Sequence, residues 1–520
     1  MALACGAAVA GAQVEPILYT NGPIPGVTGA TIWQTGLYRP AFSPNKQTWA
    51  IRVNRSSASD DEYLVVGSGV TGTVAIHGNG TAAANPPGIP TVFYLAERGY
   101  RINDSGQIAF SGHNSLRAQT NTLWRYTPGA SPLIETVAQE NNPAFFTRPD
   151  SFGPNFVELT APAIANSGSV VFAESDARVE ASDRDVIFRW DGTQNSYVEL
   201  LAEGQGFTNP DLADRTLDGL NTGEANMVNW ALFYFQNDSA DQPIFGFYGD
   251  TTGPTTEDNA LVRVGPTGDL TAVYREGTTI DGVFVASPNP TLVGWIDAAG
   301  NEYATSGGAF GPVNDAFAFI NGVKVAKAGE PVGGTVPGEL WSTANTTILT
   351  SSISSLDTNA IGGYVIGGGT NNADPARGQV VIYVAPDGTR TEILRTGVST
   401  VEVDVAGVAQ VRTITTLSQQ DASFSGVLTD THFYFLAGTT PVAGTIPADL
   451  FARIPLPPSG PACPACAADF DQDGGVTGAD VEAFFLAFEL GDPCGDTDAD
   501  GGVTGADVEA FFIAFEAGGC

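Results

Sequence analysis

Along residues 13–455 apolar and polar side chains alternate in short runs, separated by clusters of Asn, Asp, Ser and Gly. Alternation with period two buries one face of a strand and wets the other, so these runs predict β-strands. One unit is sharpest: Arg101-Ile102-Asn103-Asp104-Ser105-Gly106-Gln107-Ile108-Ala109-Phe110, a strand, a tight turn and a second strand. It recurs at 163–172, around Asn166-Ser167-Gly168, and at 295–304, around Asp297-Ala298-Ala299-Gly300. Weaker echoes lie at Ser43-Pro44-Asn45, Asn229-Trp230, Asp357-Thr358-Asn359 and Thr429-Asp430-Thr431. A third run follows, such as Ile187-Phe188-Arg189-Trp190 or Val381-Ile382-Tyr383-Val384. A fourth then ends in Gly204, Gly277, Gly329 or Gly397. Four short strands per unit, repeated about seven times, is the arrangement of a β-propeller with each unit a blade. An array of separate sandwiches would need linkers between units, and none stands out.

The final unit stops at Phe451-Ala452-Arg453 without its fourth run. The missing pattern stands at the other end of the chain, where Ile17-Leu18-Tyr19-Thr20-Asn21-Gly22 matches Ile393-Leu394-Arg395-Thr396-Gly397. An open ring would expose unpaired strand edges. Residues 14–22 are therefore expected to pair with the strand around 449–454. The Asn103, Gly106, Ala109 and Phe110 positions resemble the Asn-x-x-Gly-x-x-Ala-Phe core of a secreted bacterial tandem-repeat family. That resemblance implies fold and export, and no particular reaction.

After a Pro/Cys linker at 456–468, the period changes from two to that of a helix. Val481, Phe484, Phe485 and Phe488 follow i, i+3, i+4, i+7, as do Val508, Phe511, Phe512 and Phe515. Each helix is preceded by an acidic loop: Asp469, Asp471, Asp473, Gly475 and Asp480, then Asp496, Asp498, Asp500, Gly502 and Asp507. Carboxylates at loop positions 1, 3, 5 and 12, a backbone carbonyl at 7 and glycine at 6 match an EF-hand-type calcium loop. Water, Thr477 or Thr504 completes position 9, so two Ca²⁺ ions are expected. Residues 469–520, with no entering helices and Asp at position 12, resemble the duplicated type I dockerin module of secreted bacterial proteins. The resemblance implies calcium-dependent docking onto a cohesin-like or other envelope protein. Positions 10 and 11 depart from the cellulosomal pattern, being Gly478-Ala479 and Gly505-Ala506.

Cysteine usage and charge narrow the setting. Residues 1–12, ending Ala10-Gly11-Ala12, read as the remnant of a secretory signal, although no Lys or Arg precedes its apolar run. Cys463, Cys466, Cys494 and Cys520 remain, and in a secreted chain they suggest two disulfides of open connectivity. A four-cysteine zinc site is the competing reading, weakened because Cys463-Pro-Ala-Cys466 has no matching second CxxC. Dockerin-like modules bring their ends together, which implies Cys520 near Cys463 or Cys466. With 57 acids against 22 bases, a net charge of −35 makes nucleic acid a poor partner. No run of 18 apolar residues predicts a transmembrane segment.

Catalytic signals are thin. His77 and His113 read as turn residues beside Gly78 and Gly112, without a marked nucleophile. Asp176, Glu180, Asp183 and Asp185 read as a solvated loop, and Trp124, Trp190 and Trp295 as strand packing. The favoured expectation is a secreted, non-catalytic propeller for glycan or protein ligands, attached through the calcium module. The alternative is a polysaccharide hydrolase or lyase with a propeller catalytic domain.

Overall fold

The three clear strand–turn–strand units are β-hairpins. Strands Tyr94–Ile102 and Ile108–His113 flank the Asn103–Gly106 turn, and Leu159–Ile164 and Val170–Glu174 flank the turn at Asn166. Leu292–Ile296 and Glu302–Ser306 flank the turn at Asp297. The structure, a computed structural model, describes residues 13–55, 61–79, 91–92, 94–113, 121–139, 159–174, 186–192, 196–202, 204–219, 234–237, 243–252, 254, 259–265, 268–285, 292–297, 299–306, 317–343, 355–417, 426–440, 448–457, 464, 466–490, 493–498 and 503–518. Two compact units divide the chain: Met1–Val384 with Thr389–Leu456, and Pro457–Cys520 with Ala385–Gly388.

The larger unit is almost wholly β. Its described residues form seven sheets of four to six strands and one two-stranded sheet, Thr279–Ile280 with Val283–Phe284. The seven take consecutive stretches of chain: 32–92, 94–139, 159–202, 217–275, 292–327, 355–395 and 400–455. The seventh also takes strand Glu15–Tyr19, which pairs antiparallel with Ala448–Pro455 through Glu15↔Arg453 and Tyr19↔Leu450. That is the pairing expected from the displaced pattern at residues 17–22.

In each sheet with more than four strands, two strands pair with different parts of one neighbour where the other sheets have a single strand. In the first sheet, Ile32–Leu37 and Ala41–Phe42 pair with different parts of Trp49–Arg55. Pro40 lies in the gap, where a residue without an N–H cannot continue the ladder. The fourth and seventh sheets are split alike, Tyr234–Asn237 supplying the inner segment of the fourth. The fourth hairpin therefore lies a few residues beyond Asn229-Trp230, which fall outside the described residues. Edge and central strands differ as their sequences do. Gln379–Val384 is buried along nearly its whole length, whereas edge strand Thr400–Val405 buries only Val401 and Val403.

Apolar side chains fill the space between successive sheets. Phe110, Leu64 and Ile76 share a core between the first and second sheets, and Tyr303, Ile366 and Ile382 share one between the fifth and sixth. The last sheet packs against the first: Leu18, Tyr434 and Phe451 join Ile32, Ile51 and Trp49, with the Trp49 and Phe451 rings edge to face at 5.4 Å. Two groups of buried charges in this unit are ion-paired. Arg52 meets Glu62, and Arg395 forks onto Glu339 at 2.7 and 2.9 Å and onto Glu392 at 2.7 Å. Burial would raise both partner carboxyls, but Arg395 together with Thr370 and Asn372 at Glu339, and with Thr335 at Glu392, outweighs it, so both sit below the usual range.

Candidate functional site

The smaller unit holds two helices, α1 (Gly478–Leu490) and α2 (Gly505–Ala517). Their apolar stripes meet as the sequence period requires. Phe484 and Phe511 stack at 4.2 Å with rings 2° apart, Phe470 packs edge-on to both, and Val481, Phe488, Val508 and Phe515 surround them. Residues 457–520 carry thirteen carboxylates and no Lys, Arg or His. No side chain of this segment supplies a positive charge to them.

Two groups of carboxylates converge: Asp469, Asp471 and Asp473, and Asp496, Asp498 and Asp507, each set bringing ligand oxygens within 4.8 Å of one another. Asp500 and Gly502 lie outside the described residues. Backbone geometry turns the first loop sharply, with Gln472 at φ 61° and Gly474 at φ 88°. The Asp473 N–H lowers the Asp471 carboxyl, but desolvation and the charges of Asp473 and Asp480 outweigh it and leave Asp471 above its ordinary value. Clusters of this kind, all oxygen and all anionic, are able to hold a hard metal cation.

The position-12 aspartates do something the sequence reading does not foresee. Asp480 is fully buried and accepts the Asp471 N–H at 3.0 Å and the Thr477 N–H at 2.6 Å. Asp507 accepts from Asp498 at 3.2 Å and from Thr504 at 2.7 Å, completing a capping box at the start of α2. Each ties its loop to its helix, and Asp507 also reaches the metal-ligand group while Asp480 does not. The Thr504 N–H leads in holding Asp507 below the usual range. For Asp480, burial is outweighed by the N–H groups of Thr477, Asp471 and Phe470. Cys466 and Cys494 are each disulfide-bonded, which removes them as zinc thiolates; Cys463 and Cys520 lie outside the described residues.

His77 and His113 sit in strands Thr71–Asn79 and Ile108–His113, a correction to their reading as turn residues. Strand Thr71–Asn79 runs through His77 and Gly78, and Gly112 precedes His113 at the end of its strand, so the neighbouring glycines are strand residues too. His77 is buried and stacks on Tyr63 at 4.7 Å. Trp124 and Trp190 are buried packing residues, and Trp295 lies in a strand. Asp176, Glu180, Asp183 and Asp185 fall outside the described residues.

The hairpin turns form a second constellation. The Asn45 N–H donates to Asp104 at 2.9 Å, the Asp104 N–H to Asn166 at 2.9 Å, and the Ala360 N–H to Asp430 at 2.8 Å. Asn103 shows why the repeat carries asparagine. Its Oδ1 caps the Ser105 and Gln107 N–H groups, and its Nδ2 reaches the Ala165 carbonyl of the next sheet at 2.8 Å. The fourth turn residue is Gly106, Gly168, Gly300 or Gly362, at φ 75 to 92°. In the first sheet that place is held by Lys46 at φ 59°, a conformation costly for a residue with a side chain.

Lys46 Nζ reaches both oxygens of Asp357 at 2.9 and 3.0 Å and the Thr358 carbonyl at 2.7 Å, joining the first sheet to the sixth. Burial raises the Asp357 carboxyl above its ordinary value despite Lys46 and the Leu428 N–H. Burial, with the charges of Asp357 and Asp297, raises the Tyr303 hydroxyl strongly. The turns at Lys46, Asp297, Asn359 and Asp430 border a cavity of about 610 Å³. The sequence signal for Lys46, a lysine where the other turns have glycine, is visible only after the turns are aligned.

No family model matches the chain, and no characterised protein matches it in sequence. Among solved structures, it is similar to the polysaccharide lyase Uly1 at 12% identity and a TM-score of 0.38, over 86% of this chain and 98% of that one. It is similar to an oligogalacturonate lyase in complex with manganese at 13% and 0.36, over 86% and 99%. A periplasmic gluconolactonase of Pseudomonas aeruginosa gives 11% and 0.29, over 80% and 98%. Likenesses this weak fix no chemistry.

Proposed function

We propose that this is an exported, calcium-binding protein whose seven large sheets are the blades of a closed β-propeller that binds a glycan or protein ligand. The N-terminal strand completes the last blade, and the hydrogen-bonded turns lie around one mouth of the ring. The C-terminal unit is a dockerin-like module that holds two Ca²⁺ ions and attaches the propeller to a cohesin-like or other envelope partner. Asp469, Asp471, Asp473, Gly475 and Asp480 serve the first ion, and Asp496, Asp498, Asp500, Gly502 and Asp507 the second. Asp480 does so after releasing at least one backbone partner. The observation that carries this reading is the pair of converging carboxylate groups in a segment with no basic residue. Without a cation their mutual repulsion opposes folding, so metal binding contributes directly to stability. Leu486 and Ile513, at matching places on α1 and α2 and 60% and 65% exposed, supply an apolar surface for the partner.

A second reading, a polysaccharide hydrolase or lyase, draws on one observation: Asp357 and Tyr303 are perturbed acid groups beside a cavity. Incubating the full chain with polysaccharides separates the two. The binding reading expects retention on an insoluble polysaccharide or envelope fraction, lost on chelation for the envelope arm, with no new reducing ends or unsaturated products. Product release that disappears in Asp357→Asn would establish the enzyme instead.

A further inference from the structure

We propose that the cavity among the turns at Lys46, Asp297, Asn359 and Asp430 binds a neutral polyhydroxylated ligand, a short stretch of uncharged polysaccharide. This rests on reading the sheet unit as a ligand-binding propeller and specifies where and what it binds. The cavity, about 610 Å³, falls in the roughly 300–1,000 Å³ range of small-molecule sites. Its charges exclude the charged alternatives. Asp297 and Asp430 line it against Lys46 alone, and the Lys46 ammonium is already engaged by the neighbouring Asp357, so an anionic sugar meets net repulsion.

A cation gains little there either, because Asp297 and the adjacent Asp357 already have donors and Asp430 stands alone at the exposed rim. Asp297 accepts from the N–H groups of Ala299 and Asn301, from Asn301 Nδ2 and from the Tyr303 hydroxyl. Asp357 accepts from Lys46, the Thr358 N–H and the Leu428 N–H.

What remains open is uncharged hydrogen-bonding capacity. Asn359 lines the cavity, is 92% buried, and caps the Gly363 N–H at 2.7 Å, yet its Nδ2 has no partner. Its counterpart Asn103 uses the same Nδ2 to reach the next sheet. A buried donor left unpaired is costly, and a hydroxyl or water at the cavity would satisfy it. Among the described residues the Gln47 side-chain amide is also without a partner; the one open charged acceptor among the lining residues, Asp430 Oδ2, sits at the exposed rim and suits a hydroxyl donor. Tyr364 and Val323 give the cavity apolar surface for the carbon face of a sugar ring.

The test is calorimetric titration of the calcium-loaded full chain with cellopentaose, xylopentaose, mannopentaose, laminaripentaose and tetragalacturonate. Saturable binding of at least one neutral pentasaccharide is expected, with tetragalacturonate at least tenfold weaker. Ala360→Trp, at an exposed position on the cavity rim, should weaken that binding tenfold or more while leaving the melting temperature unchanged. Asn359→Asp, which keeps the cap and removes the donor, should weaken it severalfold. Binding that survives Ala360→Trp overturns this site while leaving a glycan-binding propeller standing. A preference for tetragalacturonate overturns the neutral ligand, and no binding of any saccharide overturns both the site and the glycan reading.

Discussion

Aspartate and glutamate play opposite parts in the two units. In the sheet unit every residue of fixed positive charge in the chain is available, since all 22 Lys and Arg precede residue 457. Buried acids there meet a built-in cation, as Glu339 and Glu392 meet Arg395 and Asp357 meets Lys46. In the C-terminal unit the acids converge with no internal cation at all. A carboxylate with a permanent partner is part of the fold. One without such a partner, crowded by its own kind, is able to hold an ion from solution. Asp480 and Asp507 mark the border, since backbone N–H groups take the place of a cation.

The sharpest way to break this contrast is to remove a fixed cation. Arg395→Met leaves Glu339 and Glu392 buried without their counter-ion and should cost about 4 kcal/mol, read as a large fall in the denaturation midpoint of the sheet unit. A loss under about 1 kcal/mol would mean that the network is dispensable.

Asp449 departs from this pattern within the sheet unit, and it makes a pH prediction. It is buried where the last sheet meets the first, its Oδ2 accepts the Leu37 N–H at 3.2 Å, and its Oδ1 has no partner. Burial pushes its carboxyl up to about 7, against the lowering effect of the Leu37 N–H. A carboxyl raised in the fold holds its proton more tightly there than in the unfolded chain. Its contribution is therefore complete below about pH 4 and is lost as pH rises through about 7. The sheet unit should lose on the order of 3 kcal/mol between pH 5 and pH 8 from this group. Asp449→Asn should flatten that part of the slope; an unchanged slope would clear Asp449 of the effect.

The smallest expected effect separates two turns that look alike in sequence. Asn103→Ala removes both a turn cap and a link to the next sheet, and should cost about 2 kcal/mol. Asn359→Ala removes the cap alone and should cost about half as much. Equal losses in urea titrations would mean that Asn359 Nδ2 finds a stabilising partner in the free protein.

Local patterns carry most of the fold in the sequence. The hairpins, the glycine after four of the fourth strands and the pairing of Glu15–Tyr19 with the last strand follow from alternation and from one missing strand. The split strands do not, because whether a chain segment rejoins its neighbour after Pro40 depends on tertiary pairing. Lys46 and Asp357 lie 311 residues apart, so no local pattern reports their bond. In the C-terminal unit the acidic residues are plain from spacing. The capping roles of Asp480 and Asp507 are hidden, because a ligand and a helix cap call for the same residue at the same place.

The central claim concerns the C-terminal carboxylates, and calcium titration by calorimetry tests it most directly. The full chain, first dialysed against chelator, should take up two Ca²⁺ ions. Asp469→Ala with Asp496→Ala should abolish uptake and raise hydrogen exchange in α1 and α2 while leaving the sheet unit unchanged. Uptake of no calcium by the unaltered chain, or the same two ions with both aspartates replaced, would contradict the account.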